Sequence, residues 1–269
     1  MLWKRRPHSK QKLRYVLLGI FSAFFILSSI ILITDYAQDA KEKDNFKRLA
    51  AIAGEKAVYP GADTEAVSFT VQAEGANAML PQYKKLYEQN ADMAGWVKID
   101  GTSIDYPVMY SGDDFYASHD FDKEKSKSGV PFIDGRCAVQ PFGANTIIYG
   151  HHMKNGSMFT ALVNYENEYY FKEHPIILFD TLYKSQKFEI IAVFKSRIYQ
   201  KEDAVFKYYN FLDADNEREF DEYIANVKAL SLYDTGGAAC YGDMLLTLVT
   251  CSYHAENGQF VIVASAKRD

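Results

Sequence analysis

Cysteine is scarce in this chain, with only Cys137, Cys240 and Cys251 in 269 residues. So small and odd a set excludes a dense disulfide framework, and no Cys/His spacing matches a structural metal site. By count alone, at least one thiol is left over. Basic excess is also missing: the net charge is −5, and Lys and Arg form no patch beyond the first 14 residues. Nucleic acid is therefore excluded as the main partner, because phosphate binding leaves a basic footprint. Neither an internal repeat nor a low-complexity segment is visible, which removes the solenoid and disordered classes.

What is present suits a packed, strand-rich domain. Hydrophobic residues make up 48% and aromatics 15%, with 20 Tyr and 18 Phe, ample material for one core in a chain of this length. The strongest physical signal is YVLLGIFSAFFILSSIILIT (15–34), an uncharged run of 20 residues. At about 1.5 Å per residue it matches a bilayer core of about 30 Å. Lys4, Arg5, Arg6, Lys10, Lys12 and Arg14 precede it and Asp35 follows, so the positive-inside rule puts the N-terminus in the cytoplasm and the rest outside. A cleaved secretory signal would have a shorter apolar core and a small-residue cleavage site. The expected organisation is a cytoplasmic basic segment (1–14), a single-pass membrane anchor (15–34), a juxtamembrane helix and linker (35–79) and an extracytoplasmic catalytic domain (80–269). The charged, Ala-rich stretch from Asp35 to about Lys56 reads as a helix continuing the anchor or lying beside it, or as a solvated spacer, the last preferred, and residues 57–79, with Pro60, Gly61 and Gly75, as the linker.

In the outer domain, PQYKKLYEQNADMAG (81–95) has helical spacing and predicts a helix stopped by Gly95. Eight short strand-like runs follow: 96–99, 105–110, 130–133, 145–150, 175–181, 187–199, 243–251 and 259–266. Between the sixth and seventh runs, residues 216–231 predict a helix with Phe220, Tyr223, Ile224 and Val227 on one face. The fold class is mainly β with inserted helices, a closed or nearly closed barrel.

DMLLTLVTC is a buried-strand pattern that ends on a thiol. Asn257-Gly258 then favours a tight turn and QFVIVASA returns, so position 259 should sit across from Cys251 in an antiparallel pair. A second constellation, NTIIYGHHMKNGSMF, runs a strand into Gly150, His151 and His152. Thiol nucleophiles need a proton-transfer partner, and a Cys/His pair supplies one when the fold brings the two within reach. From the residues alone, a buried thiol and a structural imidazole remain the competing reading.

TLVTC (247–251) resembles the TLxTC signature of sortases, and YGHHMKNGSMF resembles the histidine-bearing segment of their class B branch. GWVKIDGTSIDYPVM (95–109), FYASHDF with SKSGVPFIDGR (115–136) and HPIILFDT (174–181) are similar to class B sortases in the same order, so the likeness spans about 90–264. It implies an eight-stranded sortase barrel with a helix before the cysteine-bearing strand, and transpeptidation at a C-terminal sorting signal of secreted proteins, of the N-P-x-T-x type. Cys251 would form a thioester at the Thr carbonyl, and an amine of a cell-wall precursor or pilin would resolve it. His151, directly after the glycine, would be the proton carrier. Thr250 and Ser252 flank the thiol on the substrate and oxyanion side, although Thr250 is equally a plain β-former. No metal and no cofactor is required. One departure stands out: the family places an arginine on the following strand, and here Gln259 occupies that position. Gln259 acting as a neutral donor, replacement by Arg197 or the more distant Arg268, and an inefficient enzyme all remain open, with the first preferred. His119, His174 and His254 read as structural or surface residues, and Cys137 and Cys240 as incidental. A papain-like peptidase would place Cys before His, and an L,D-transpeptidase would set the two in one motif. A binding module that keeps the fold without strong catalysis is the further alternative.

Overall fold

The computed structural model describes residues 8–54 and 78–266. Most of the expected linker, the first seven residues and Arg268 lie outside them. Two compact units are present, Met1–Lys47 and Arg48–Asp269. The first consists of helix α1, which runs from His8 to Gly54 and so ends within the second unit. Residues 35–54 are thus helical, continuing the apolar run without a break. Large apolar side chains such as Phe21, Phe25, Leu32 and Ile33 are exposed along this helix, which is long and apolar enough to cross a membrane.

The second unit is built on a closed barrel of eight strands in the order β1-β2-β3-β4-β7-β8-β6-β5. These are β1 Met93–Lys98, β2 Asp105–Met109, β3 Phe132–Ile133, β4 Asn145–Tyr149, β5 Ile176–Thr181, β6 Ser185–Arg197, β7 Met244–Cys251 and β8 Gly258–Ala266. Each falls on one of the eight predicted runs. Closure leaves no long unpaired edge. Helix α2 (Pro81–Gln89) precedes β1, and α3 (Glu168–Glu173) and α4 (Glu217–Leu230) are inserted in the connections.

The predicted first helix ends early. Gln89 is its last residue, Asn90 leaves it with extended backbone, and the Asn90 side chain bonds Tyr116 Oη and the Phe121 carbonyl instead. Gly95 therefore lies in β1, where it answers a close approach: a Cβ there would stand 2.3 Å from the Asp180 carbonyl oxygen on β5. The glycine has a packing reason, not a capping one.

α4 buries Phe220, Tyr223, Ile224 and Val227, the predicted face, and Asn216 caps it by accepting from Glu219 N. It packs on β6. Tyr223 Oη lies 3.5 Å from Asn145 Nδ2, and Asn145 Oδ1 accepts from Thr247 Oγ1 at 2.9 Å. Those bonds identify the faces of β7, since side chains alternate along a strand. Thr247, Val249 and Cys251 face outward, toward α4 and the β6–α4 connector. Leu246, Leu248 and Thr250 face the barrel interior with Phe260 and Ile262, their partners or neighbours on β8. Both faces are apolar because both are covered, which is why β7 and β8 read as continuous hydrophobic runs.

Candidate active site

Cys251 is the last residue of β7 and its side chain is exposed. Across the antiparallel ladder it pairs with Gln259 of β8, as the hairpin reading expects. The other neighbour is β4, which runs parallel to β7 with Tyr149 opposite Val249, and Gly150 N continues the ladder by donating to the Val249 carbonyl at 3.0 Å. β4 ends at Tyr149, so His151 follows two residues past the last paired position, as Cys251 does on β7. A direct contact supports the juxtaposition: His152 Nδ1 donates to the Cys251 carbonyl at 3.1 Å, and its ring lies 5.3 Å from that of Tyr253. Two segments about a hundred residues apart in sequence thus end side by side.

Gly150 is required just before the imidazole. A Cβ there would come within 2.5 Å of the Phe159 ring, and Phe159 N donates to the His151 carbonyl at 2.9 Å, so the chain folds tightly over that ring. His151 Nε2 lies 2.7 Å from the Ala117 carbonyl oxygen. A carbonyl can only accept, so Nε2 carries a proton and Nδ1 of the neutral ring keeps its lone pair. Ala117 is held in a 3₁₀ turn (Phe115–Ala117) beside buried Tyr116, whose hydroxyl donates to Asp92 at 2.7 Å. Nothing in the sequence marks that carbonyl, because a backbone oxygen has no residue-type signature.

Gln259 is 8% exposed. Its Oε1 accepts from Tyr208 Oη at 2.7 Å, while Ser196 on β6 lies opposite it on the other side. Arg197 pairs with Gly258, one register step away, so its side chain leaves the sheet on the opposite face from Cys251 and Gln259. There its guanidinium sits 5.1 Å from the Tyr199 ring centroid. This placement removes Arg197 as a stand-in for the missing arginine.

Thr250 and Ser252 present little to the thiol. Thr250 Oγ1 is buried on the interior face and has no hydrogen-bond partner among the described residues. Ser252 N donates to the Gly258 carbonyl at 2.8 Å, and its hydroxyl meets His254 Nδ1 at 2.9 Å. His119 stacks on Phe115, with ring centroids 3.8 Å apart, and His174 Nδ1 donates to the Asp100 carbonyl at 2.9 Å, both in structural roles. All three cysteines are free. Burial pushes the Cys137 thiol up to about 11, which makes it inert, and Cys240 lies exposed in the loop before β7.

A polar cluster beside the site escaped the sequence reading. Asp134 receives Arg136 in a two-pronged pair, Nε to Oδ1 at 2.9 Å and Nη2 to Oδ2 at 2.7 Å, and Tyr149 Oη donates to Oδ2 at 3.2 Å. Burial alone would raise the Asp134 carboxyl, but these bonds outweigh it and hold the group below the usual carboxylate range. Arg136 Nη2 also donates to the Tyr209 carbonyl at 3.0 Å, tying the β6–α4 connector to the barrel. The segment carrying Asp134 and Arg136 is visible in the sequence, but the partners come from residues 149 and 209 and only the fold unites them.

Comparison with known proteins agrees with this geometry. The family model described as Sortase domain matches residues 97–267. Sortase B of Listeria monocytogenes is 33% identical over 210 residues, covering 77% of this chain and 80% of that protein. Sortase B of Staphylococcus aureus is 29% identical over 187 residues, covering 68% and 74%. The solved Staphylococcus aureus sortase B-substrate complex superposes with a TM-score of 0.70 at 25% identity, covering 87% of this chain and all of that one. With its eight-stranded barrel, its terminal thiol and these relatives, the chain belongs to the sortases, cysteine transpeptidases, in their class B branch.

Proposed function

We propose that this sortase is a single-pass membrane enzyme that cleaves a C-terminal sorting signal of the N-P-x-T-x type on secreted proteins and passes the acyl group to an amine of a cell-wall precursor or pilin. Cys251 passes its thiol proton to Nδ1 of His151 and attacks the Thr carbonyl as the thiolate. The tetrahedral adduct collapses to a thioester as His151 gives a proton, through Nδ1, to the departing amine. His151 then takes a proton from the incoming amine, which attacks the thioester, forms the new amide and frees the thiol. The Ala117 carbonyl accepts from Nε2–H in either state, which leaves Nδ1 as the nitrogen that exchanges the proton.

Gln259 carries the oxyanion and substrate-positioning duty of the family's arginine, because it faces Cys251 directly. Ser252 follows the thiol at the rim, whereas Thr250 turns its side chain to the barrel interior and contributes to the strand alone. The observation that carries this reading is the shared exit of β4 and β7, where His152 Nδ1 touches the Cys251 carbonyl and so brings the segment that holds His151 to the end of the cysteine-bearing strand. Helix α1 supplies the anchor, with the basic residues before it on the cytoplasmic side.

The test is transfer itself. Full-length protein in detergent micelles, given an N-P-x-T-x peptide and triglycine, is expected to release a product in which the Thr carbonyl is joined to the triglycine amine, and Cys251→Ala to release none. Failure of the unaltered protein to process any peptide in a panel of sorting signals would defeat the proposal.

A further inference from the structure

Replacing an arginine by glutamine creates a difficulty that charge does not have. A guanidinium offers donors around its whole edge, whereas a glutamine amide donates from one end and accepts from the other. A half-turn of the terminal torsion exchanges the two ends, and that torsion is soft. A neutral amide can aid an oxyanion reliably only if something fixes which end faces the thiol.

Such a device is present. Tyr208, 1% exposed, puts its hydroxyl 2.7 Å from Gln259 Oε1, and the amide nitrogen of Gln259 has no partner among the described residues. The phenol is itself held from several sides. It lies in the 3₁₀ turn Tyr208–Asn210 of the connector, and its ring packs edge-on against Phe194 (5.7 Å) and Tyr209 (5.2 Å). The next residue is tied down twice, by Arg136 Nη2 on its carbonyl at 3.0 Å and by Tyr199 N donating to its hydroxyl at 3.1 Å. Lys207 Nζ adds bonds to the carbonyls of Gln200 (2.7 Å) and Lys201 (2.9 Å). Burial raises the Tyr208 phenol well above its ordinary range, so it stays protonated at any pH the enzyme meets.

We propose that Tyr208 is a positioning residue for catalysis: by donating to Oε1 it turns the Gln259 amide so that Nε2 faces the reacting carbonyl beside Cys251. The proposal rests on the reading of Gln259 given above. It assigns a catalytic consequence to the β6–α4 connector, whose clamp by Asp134 and Arg136 then bears on the reaction through Tyr208.

Single-turnover acylation of the full-length protein by a sorting-signal peptide tests it. Tyr208→Phe keeps the ring and its packing, so an unchanged melting temperature is expected. The acylation rate constant should fall about ten-fold, an order-of-magnitude figure for one lost orienting hydrogen bond, with KM nearly unmoved. Gln259→Glu keeps an acceptor for Tyr208 but removes the NH2 donor, and should be as slow as Gln259→Ala. The decisive arm places Tyr208→Phe on the Gln259→Arg background, where no end needs choosing and the loss should shrink to less than two-fold. An equal loss in both backgrounds would mean that Tyr208 merely supports the fold and would overturn the proposal. Slow Gln259→Ala with native-like Tyr208→Phe would overturn positioning alone, whereas native-like Gln259→Ala would overturn the role of Gln259 and this inference with it.

Discussion

The two flanks of Cys251 are held in different ways. On the β4 side, His151 is only half-buried and is fixed by a backbone acceptor, the Ala117 carbonyl, at the end of a tightly folded glycine corner. On the β8 side, Gln259 is buried and is fixed by a side-chain donor, Tyr208. The proposed roles explain the contrast. A group that carries protons must exchange them with a leaving and then an incoming amine, so it sits where solvent and substrate reach it. A fixed dipole acts best where it need not reorganise. The contrast also exposes an asymmetry in fragility, since no substitution deletes a carbonyl whereas one oxygen atom removes the anchor of Gln259.

Breaking the proton-carrying flank should have the largest effect. His151→Ala is expected to lower the transfer rate by about 10² to 10⁴, the usual range for a lost general acid-base, while His152→Ala should cost far less. Steady-state kinetics with a sorting-signal peptide would check this, and equal losses at the two positions would assign the proton to the wrong imidazole. Sharpening the dipole flank comes next. Gln259→Arg adds charge while the Tyr208 hydroxyl turns from donor to acceptor, and should speed acylation by up to about ten-fold, on the scale of one charge-assisted hydrogen bond. Burst kinetics would read it, and no gain would mean that the position does not serve the oxyanion.

A smaller effect is expected at the clamp. Because the Asp134 carboxyl is held below its usual range, it contributes stability that is fully present above the ordinary carboxylate pKa of about 3.9 and is lost as pH falls through its lower folded value. Asp134→Asn should cost about 1 to 2 kcal/mol at neutral pH, in line with a lost charge-assisted bond at a partly exposed partner, and should flatten the acid limb of a melting-temperature profile. An unchanged profile would remove the clamp from the stability of the connector. Last, Arg197→Ala should change transfer less than two-fold, because its side chain leaves the opposite face of the sheet. A large loss there would reinstate it as the missing arginine.

Much of this contrast is legible in the sequence, and for a physical reason. Strand content shows through because β7 and β8 are covered on both faces and so read as unbroken apolar runs, and the face of α4 shows through its helical period. The Cys251–Gln259 pair follows from a short hairpin whose Asn257 takes left-handed backbone, φ 53°. What stays hidden is whatever depends on remote contacts. Gly95 reads as a helix stop, yet its cause is a carbonyl on β5, 85 residues further along. Tyr208 and the Asp134–Arg136 pair look like ordinary aromatic and charged residues until the connector lies over the outer face of the barrel. The Ala117 carbonyl leaves no trace in residue types at all.

The most direct test weighs the intact protein after a brief exposure to a sorting-signal peptide at a pH that slows thioester hydrolysis. One adduct equal to the fragment ending in Thr is expected, mapping to Cys251 and lost on treatment with hydroxylamine. An adduct on exposed Cys240, or unchanged mass while the peptide is still cut, would contradict Cys251 as the nucleophile.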